Sequence, residues 1–483
     1  MDYFFGGKFR QWGSYLKRCI MACGTLLLFT VLINPPPAVT AIRQGEWPTY
    51  LGNNARTDFN ATEKLLNRDI APHLRLHWSL QVPGEISSQA IISNGIIYWG
   101  AYNGFEYASD LNGSILWKTY LGVTNAECGS TGVASTATVT TLSIKGKPTS
   151  ILFVGGGDAH FYALNAVTGA IIWQTPLGSS PAHFIWSSPT VVNGSVYFGM
   201  ASYGDCPLVQ GQFIQLNAAT GAIEHIFGVV PPACLGGTVW GSPAFDEEDG
   251  SIYFATSQDN YFDTSQSDAC SKAEQYTTSL VKLRASDLSF LDSWQVPPAD
   301  QVALDGDFGS TPTLFTATID QVKRRMVGVM NKNGFYYAFD RNKIGAGPLW
   351  QARVAIGGAE PINGQGSVSV AAWDGRTVYA AGGQTVIRNT KCGGSVRAID
   401  PSSGAFRWSL CLPKAVLGAV MVVPGLVVIG AGSRIYILDA VTGDVLYTFH
   451  DTAQDATFWS PATISDGVLY QGSLDGTLFA LGL

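Results

Sequence analysis

YALNAVTGAIIWQTPL (residues 162–177) reads as a strand, a tight turn and a second strand. The turn has the form Asx-x-x-Thr/Ser-Gly. The Asn165 side chain accepts backbone N–H groups and Gly169 takes the left-handed conformation, which lets the chain reverse in five residues. Trp173, on the second strand, reads as packing between neighbouring sheets. The same unit returns as FIQLNAATGAIEHIF (213–227), VRAIDPSSGAFRWSL (396–410) and IYILDAVTGDVLYTF (435–449). Looser copies are YASDLNGSILWKTYL (107–121), VKLRASDLSFLDSWQV (281–296) and YAFDRNKIGAGPLWQARV (337–354).

Each copy follows two more short strands, as in SSPTVVNGSVYFGMA (187–201), GSPAFDEEDGSIYFAT (241–256) and SPATISDGVLYQGS (460–473). Alternating apolar residues around Asn-Gly or Asp-Gly mark hairpins. Four strands in 40–60 residues is the size of a propeller blade, roughly as such repeats run. An eighth outer strand, RLHWSLQV (75–82), precedes any inner strands, and the C-terminus supplies three inner strands without an outer one. Pairing the two ends closes the ring and removes free sheet edges. The sequence therefore predicts an all-β chain, an eight-bladed propeller of four-stranded antiparallel blades over residues 75–483, with residues 42–74 as an N-terminal extension.

Composition agrees. Of 483 residues, 55 are Gly and only 13% are charged, which suits short strands and tight turns and excludes helical bundles. Residues 1–41 hold four basic residues (Lys8, Arg10, Lys17, Arg18) and one acid (Asp2), leaving 25 basic against 35 acidic residues beyond them. That balance excludes nucleic acid or an anionic membrane as the main partner. Lys17 and Arg18 precede the apolar run Ile20 to Ile33, which ends at Asn34-Pro35-Pro36-Pro37, and Val39-Thr40-Ala41 offers a cleavage site. This is the pattern of a secretory signal over residues 1–41, too short for a comfortable span, so the expected location is periplasmic or extracellular, with an uncleaved anchor as the alternative. Six cysteines follow it (Cys128, Cys206, Cys234, Cys270, Cys392, Cys411), an even number that favours disulfides in an exported protein. No CxxC or CxxCH occurs, so neither a zinc site nor covalent haem is expected.

The repeats resemble the pyrroloquinoline quinone (PQQ) enzyme repeat, and WPTYLGNNARTDFN (47–60) resembles the opening segment of that superfamily. Three stretches resemble quinoprotein dehydrogenases more closely: GGTVWGSPAFDEEDGSIYFATSQDNY (236–261), DGDFGSTPTLF (305–315) and NKNGFYYAFDR (331–341). The flavour is that of the polyvinyl-alcohol-dehydrogenase-like branch. The resemblance implies a dehydrogenase that oxidises an alcohol or polyol, small or polymeric, with PQQ and a calcium or other divalent or trivalent cation. Electrons would pass to a separate acceptor such as a cytochrome.

It also implies roles. Trp240 would stack against the flat cofactor. Asp305 would take the alcohol proton, beside or on the cation, as catalytic base. Asp307, two residues on, falls on the same side if the segment is extended. Lys332 would bind the quinone oxygens as a point charge. Asp205, Gln258, Asn260, Asp305 and Asp307 are the candidate cation ligands. Each has a plainer reading: Trp240 as a blade-packing Trp, the two Asp as solvated turn acids around Gly306, and Lys332 as an exposed hairpin residue.

Two departures stand out. No Arg lies in GSTGVASTATV (129–139), where the family reaches the cofactor carboxylates, and the adjacent Cys-Cys pair of many alcohol dehydrogenases is missing. Cys206 and Cys234, in adjacent blades near the expected site, are the expected disulfide pair. The six His (73, 77, 160, 183, 225, 450) have no metal-binding spacing, although His160 and His183 are candidates for the channel wall. The alternative to the enzyme is a non-catalytic exported propeller scaffold that binds protein or polysaccharide.

Overall fold

The computed structural model describes residues 45–144, 146–258, 270, 276–302, 305–453 and 456–483. The expected signal segment lies outside the described residues. Among the described residues there are eight four-stranded antiparallel sheets and two small two-stranded ones. In chain order the innermost strands of blades 1 to 8 are Ile91–Ser93, Thr138–Ile144, Thr190–Val192, Ala244–Asp246, Thr313–Ile319, Ala372–Trp373, Met421–Val423 and Thr463–Ser465. Arg75–Gln81 is the outer strand of blade 8. It pairs antiparallel with Thr477–Gly482, Ser79 opposite Phe479, so the chain's first blade strand closes the ring as expected.

The repeat motif turns out to be the joint between blades. In the Asx turn, Asn165 Oδ1 accepts the N–H of Val167 and of Thr168, both at 3.0 Å. The Trp of the preceding blade then docks on that turn. Trp117 Nε1 donates to Ala166 O at 3.0 Å, and a Cβ on Gly169 would sit 2.6 Å from the Trp117 ring. The same bond joins Trp78 to Leu111, Trp173 to Ala218, Trp350 to Pro401 and Trp408 to Ala440, at 2.8–3.1 Å. Blade 3 has His225 in the Trp position, and the next turn compensates: Leu288 replaces the Gly and is buried.

A second set of bonds links blades 1 to 5 around the central channel. Gln89 N donates to Thr136 Oγ1, Thr136 N to Ser188 Oγ, Ser188 N to Ser242 Oγ and Ser242 N to Thr311 Oγ1, all at 2.8–3.0 Å. The Ser or Thr of blades 2 to 5 thus caps the backbone of the preceding blade, which fixes the channel wall to which the site is attached.

The segment Trp47–Asn60 crosses the foot of the channel and is bound to all eight blades. Trp47 pairs with Ile92, Pro48 O accepts Val139 N, and the carbonyls of Asn54, Ala55, Thr57 and Asp58 accept the N–H of Phe245, Leu314, Trp373 and Val422. Asn60 Nδ2 donates to Ile464 O at 2.8 Å. Blade 3 is reached by Arg56, which is fully buried and donates to Pro189 O at 3.0 Å and Thr190 Oγ1 at 2.6 Å.

The disulfides are Cys128–Cys206, Cys234–Cys270 and Cys392–Cys411, closing 78, 36 and 19 residues. The oxidised state agrees with expectation and the Cys206–Cys234 pairing does not. Cys234 packs in a buried cluster with Val230 and Cys270, while Cys206 meets the hairpin Thr124–Ala126/Gly129–Thr131 that carries Cys128.

Candidate active site

A cavity of about 600 Å³ occupies the channel above the foot segment. Its wall is made by the segments that lead into the innermost strands, with Ser202, Asp205 and Lys332 added from the turns that follow second strands. Trp240, Asp305, Asp307, Lys332 and Asp205 all line it, with Tyr50 from the foot segment. Residues from five separate sequence stretches therefore share one space.

Lys332 organises the group. It sits in the turn Asn331–Gly334, closed by Gly334 N to Asn331 O at 2.9 Å, so the hairpin reading of its backbone is right. Its side chain is buried, however, which the solvated reading did not anticipate. Nζ lies 2.7 Å from Asp305 Oδ2 and 2.6 Å from Asp307 Oδ1, so both carboxylates fall on one side of the segment. Asp307 is nearly closed off and its Oδ2 accepts the indole N–H of Trp240 at 2.7 Å. Trp240 thus spends its donor inside the site, unlike the docking tryptophans. Lys332 Nζ also lies 5.6 Å from the centre of the Trp240 ring, within cation–π range. A Cβ on Gly309 would meet that ring at 2.4 Å, so glycine there is what admits the indole.

The peptide between the two acids is clamped on both sides. Gly306 N donates to Gln258 Oε1 at 2.8 Å, and Gly306 O accepts Asn331 Nδ2 at 3.0 Å. Gln258, expected as a ligand, thus reaches the backbone between the carboxylates. Asn260 lies outside the described residues. Asp205 stands at the cavity wall with Ser202 Oγ 3.3 Å from its Oδ1.

Electrostatics follow from one ammonium among several acids. Burial, then the Asp307 charge, push the Asp305 carboxyl up to about 7, with Lys332 pulling the other way. Burial and Asp307 likewise raise Asp205. Burial disfavours the charge on Lys332, but the attraction of Asp307 and Asp305 outweighs it and its proton is held above the ordinary lysine range.

Sequence reasoning missed several wall residues. Trp186 and Trp459 line the cavity with Trp240. Their signal was present: Trp186-Ser-Ser-Pro, Trp240-Gly-Ser-Pro and Trp459-Ser-Pro are three copies of one short pattern. His160 and His183 are not among the lining residues: His160 contacts Asp158 and His183 contacts Ser179.

The donor set fits a hard cation, which wants carboxylate and amide oxygens. Asp205, Asp305, Asp307 and Glu360 face the cavity against one basic side chain, Lys332, among the described lining residues. No three His, Cys, Asp or Glu among the described residues already converge as a metal cluster. A flat quinone fits the Trp240 face and the Lys332 ammonium. If it carries carboxylates of its own, it fits only together with a cation, because the wall is already in acidic excess.

Comparison with known proteins gives the same neighbourhood. The family described as glucose/ethanol/alcohol dehydrogenase, beta-propeller domain, matches residues 233–355. The PQQ-repeat family described as outer membrane protein assembly factor BamB matches residues 107–264 and 333–482. The chain is similar to a polyvinylalcohol dehydrogenase of Sphingopyxis sp. (strain 113P3), 25% identical over 97% of this chain and 75% of the relative. In fold it is similar to the quinohemoprotein alcohol dehydrogenase of Comamonas testosteroni, with TM-score 0.73, 18% identity, and coverage of 92% of this chain and 81% of that one. A europium-containing methanol dehydrogenase gives TM-score 0.73 at 16% identity, over 91% of this chain and 98% of that one. With its Asx-Gly turns, docking tryptophans and closed ring of eight blades, the chain belongs to the PQQ-repeat family of β-propellers.

Proposed function

We propose that this is an exported quinoprotein-type dehydrogenase that oxidises an alcohol or polyol. The observation that carries the reading is the convergence of Trp240, Asp305, Asp307 and Lys332 in one cavity. Trp240 offers the flat face for a quinone, and Lys332 the charge for its oxygens. Asp205, Asp305 and Asp307, with amide oxygens from Gln258 and Asn260, would hold the cation. A bound quinone supplies the two-electron acceptor for the hydride that leaves the alcohol carbon.

The chain's own residues handle the proton. Asp305 is the more open carboxylate, with 37% of its side chain exposed against 5% for Asp307. It can meet a substrate hydroxyl and take its proton, and a proton affinity near neutrality suits a general base. Asp307 is held by Trp240 and Lys332 and keeps both in register. A separate acceptor such as a cytochrome would take the electrons from the quinone. Three disulfides support an oxidising compartment. No helix among the described residues is long and apolar enough to cross a membrane.

A second reading, a scaffold that binds protein or polysaccharide, draws on one observation: among the described lining residues a single basic side chain faces four acids in the cavity. The deciding experiment adds PQQ with Ca²⁺, or with a lanthanide, to the purified protein. Quinone absorbance in the protein fraction and dye reduction with alcohols are expected. Neither signal with either cation favours the scaffold.

A further inference from the structure

The Cys128–Cys206 bridge lies beside the site, because Cys206 directly follows the cavity residue Asp205. The turn between them and the cavity is unusual. Gly204 has φ 59° and Asp205 has φ 57°, two consecutive residues in the left-handed region. A residue with a Cβ reaches that region at a cost and stays there only when its surroundings hold it. On one side the turn is held by Trp186, whose indole donates to Ser202 O at 3.1 Å and whose ring stacks on Tyr203 at 5.7 Å. Its backbone bond Cys206 N to Tyr203 O, 3.2 Å, is internal. On the other side the restraint is covalent. The cystine ties Cys206 to the Thr124–Ala126/Gly129–Thr131 hairpin, 78 residues earlier, and Cys128 packs on Gly204, where a Cβ would lie 3.3 Å from its sulfur.

We propose that the Cys128–Cys206 bridge is a positioning element of the site: it presses the 203–207 turn against the hairpin and so keeps the Asp205 carboxylate in the cavity with Asp305 and Asp307. The consequence for cation affinity rests on the dehydrogenase reading above; the placement of the turn does not. The other two bridges have no such position. Cys234, Cys270 and Cys392 are buried, whereas Cys128 is exposed, so a mild dithiol opens the site bridge first, yielding two thiols and one oxidised dithiol.

The test compares wild type, Cys128→Ser/Cys206→Ser, Asp205→Asn and their combination. Hydrogen exchange over residues 202–208 reads the turn without any cation. Terbium luminescence excited through tryptophan reads the site. Opening the bridge is expected to speed exchange in the turn and hairpin alone by about tenfold or more. The bridge variant and Asp205→Asn are each expected to weaken Tb³⁺ roughly tenfold, and the combination to add nothing further. Unchanged exchange in the turn overturns the proposal. So does faster exchange with Tb³⁺ affinity intact in the bridge variant but lost in Asp205→Asn. If wild type takes no Tb³⁺, the cation reading fails by itself and exchange alone decides the bridge. If the serine variant does not fold, selective reduction of the folded protein, verified by mass, replaces it with the same expected and overturning results.

Discussion

The indole N–H of Trp240 is given to Asp307, at 2.7 Å, and not to Asp305. Two acids separated by one glycine are thereby made unequal. Asp307 is locked by Trp240 and Lys332, while Asp305 shares only Lys332 and opens to the cavity. Asp305→Asn should therefore lower alcohol oxidation by about two to four orders of magnitude while leaving cofactor uptake and melting temperature close to wild type. Asp307→Asn should instead disturb Trp240, visible as a change in its fluorescence, and lower stability as well as rate. Full activity in Asp305→Asn removes it as the base.

The proton on Asp305 gives a spectroscopic check. Its carboxyl, pushed up to about 7 by burial and Asp307, should titrate near neutrality in cation-free protein by difference infrared, a band absent in Asp305→Asn. A bound cation stabilises the ionised form and should move that midpoint downward. A band that titrates near 4 without cation contradicts the environment described.

Glu106 provides a test away from the site. It is fully buried in blade 1, neither oxygen has a hydrogen-bond partner, and burial raises its carboxyl well above the ordinary range. The folded state thus holds a proton that the unfolded chain releases above about pH 4.3. That contribution to stability is full below the unfolded value and falls as pH rises, by about 1.4 kcal/mol per unit until the folded group ionises. Glu106→Gln should gain on wild type in melting temperature progressively from pH 5 to pH 8. Equal pH profiles for the two proteins would show Glu106 paired or hydrated.

The docking joint can be measured with two glycines. Gly194 has φ 82° and open space where a Cβ would point, so Gly194→Ala reports only the backbone penalty, about 1 kcal/mol. Gly169 has φ 72° and the Trp117 ring 2.6 Å from that point. Gly169→Ala should cost about 2–4 kcal/mol, the excess being the overpacked joint. Equal costs in thermal melts would mean that Trp117 yields freely.

The repeat made the ring legible because its chemistry is local. An Asx, a Gly and a Trp at fixed offsets specify turn, reversal and joint, and RLHWSLQV without inner strands specifies closure. The gathering of Trp240, Asp305 and Asp307 follows from that ring, since the segments before the inner strands point at the axis; Lys332 joins them from the turn between Val322–Met330 and Phe335–Asp340. The remainder depended on loops, which carry no period. The 124–131 hairpin leans on the 203–207 turn, and so Cys206 takes Cys128, not Cys234. Gln258 binds Gly306 because the intervening backbone needs a partner, which no motif announces. Glu360 enters the cavity from the loop between Trp350–Arg353 and Ala372–Trp373, outside the repeated turn.

The strap Trp47–Asn60 has a consequence for traffic. Since it binds every blade across the foot of the channel, with Tyr50 as the floor of the cavity above, whatever enters must leave by the same mouth. A long polymer cannot be threaded through; it must offer an end or a bent stretch. The order of loading is then fixed by geometry, last in and first out. On the proposed reading, a cofactor lying on Trp240 would go in before the alcohol, and a bound alcohol would bar its escape. Saturating substrate should therefore slow cofactor loss as a stopper does, however weakly the two molecules touch.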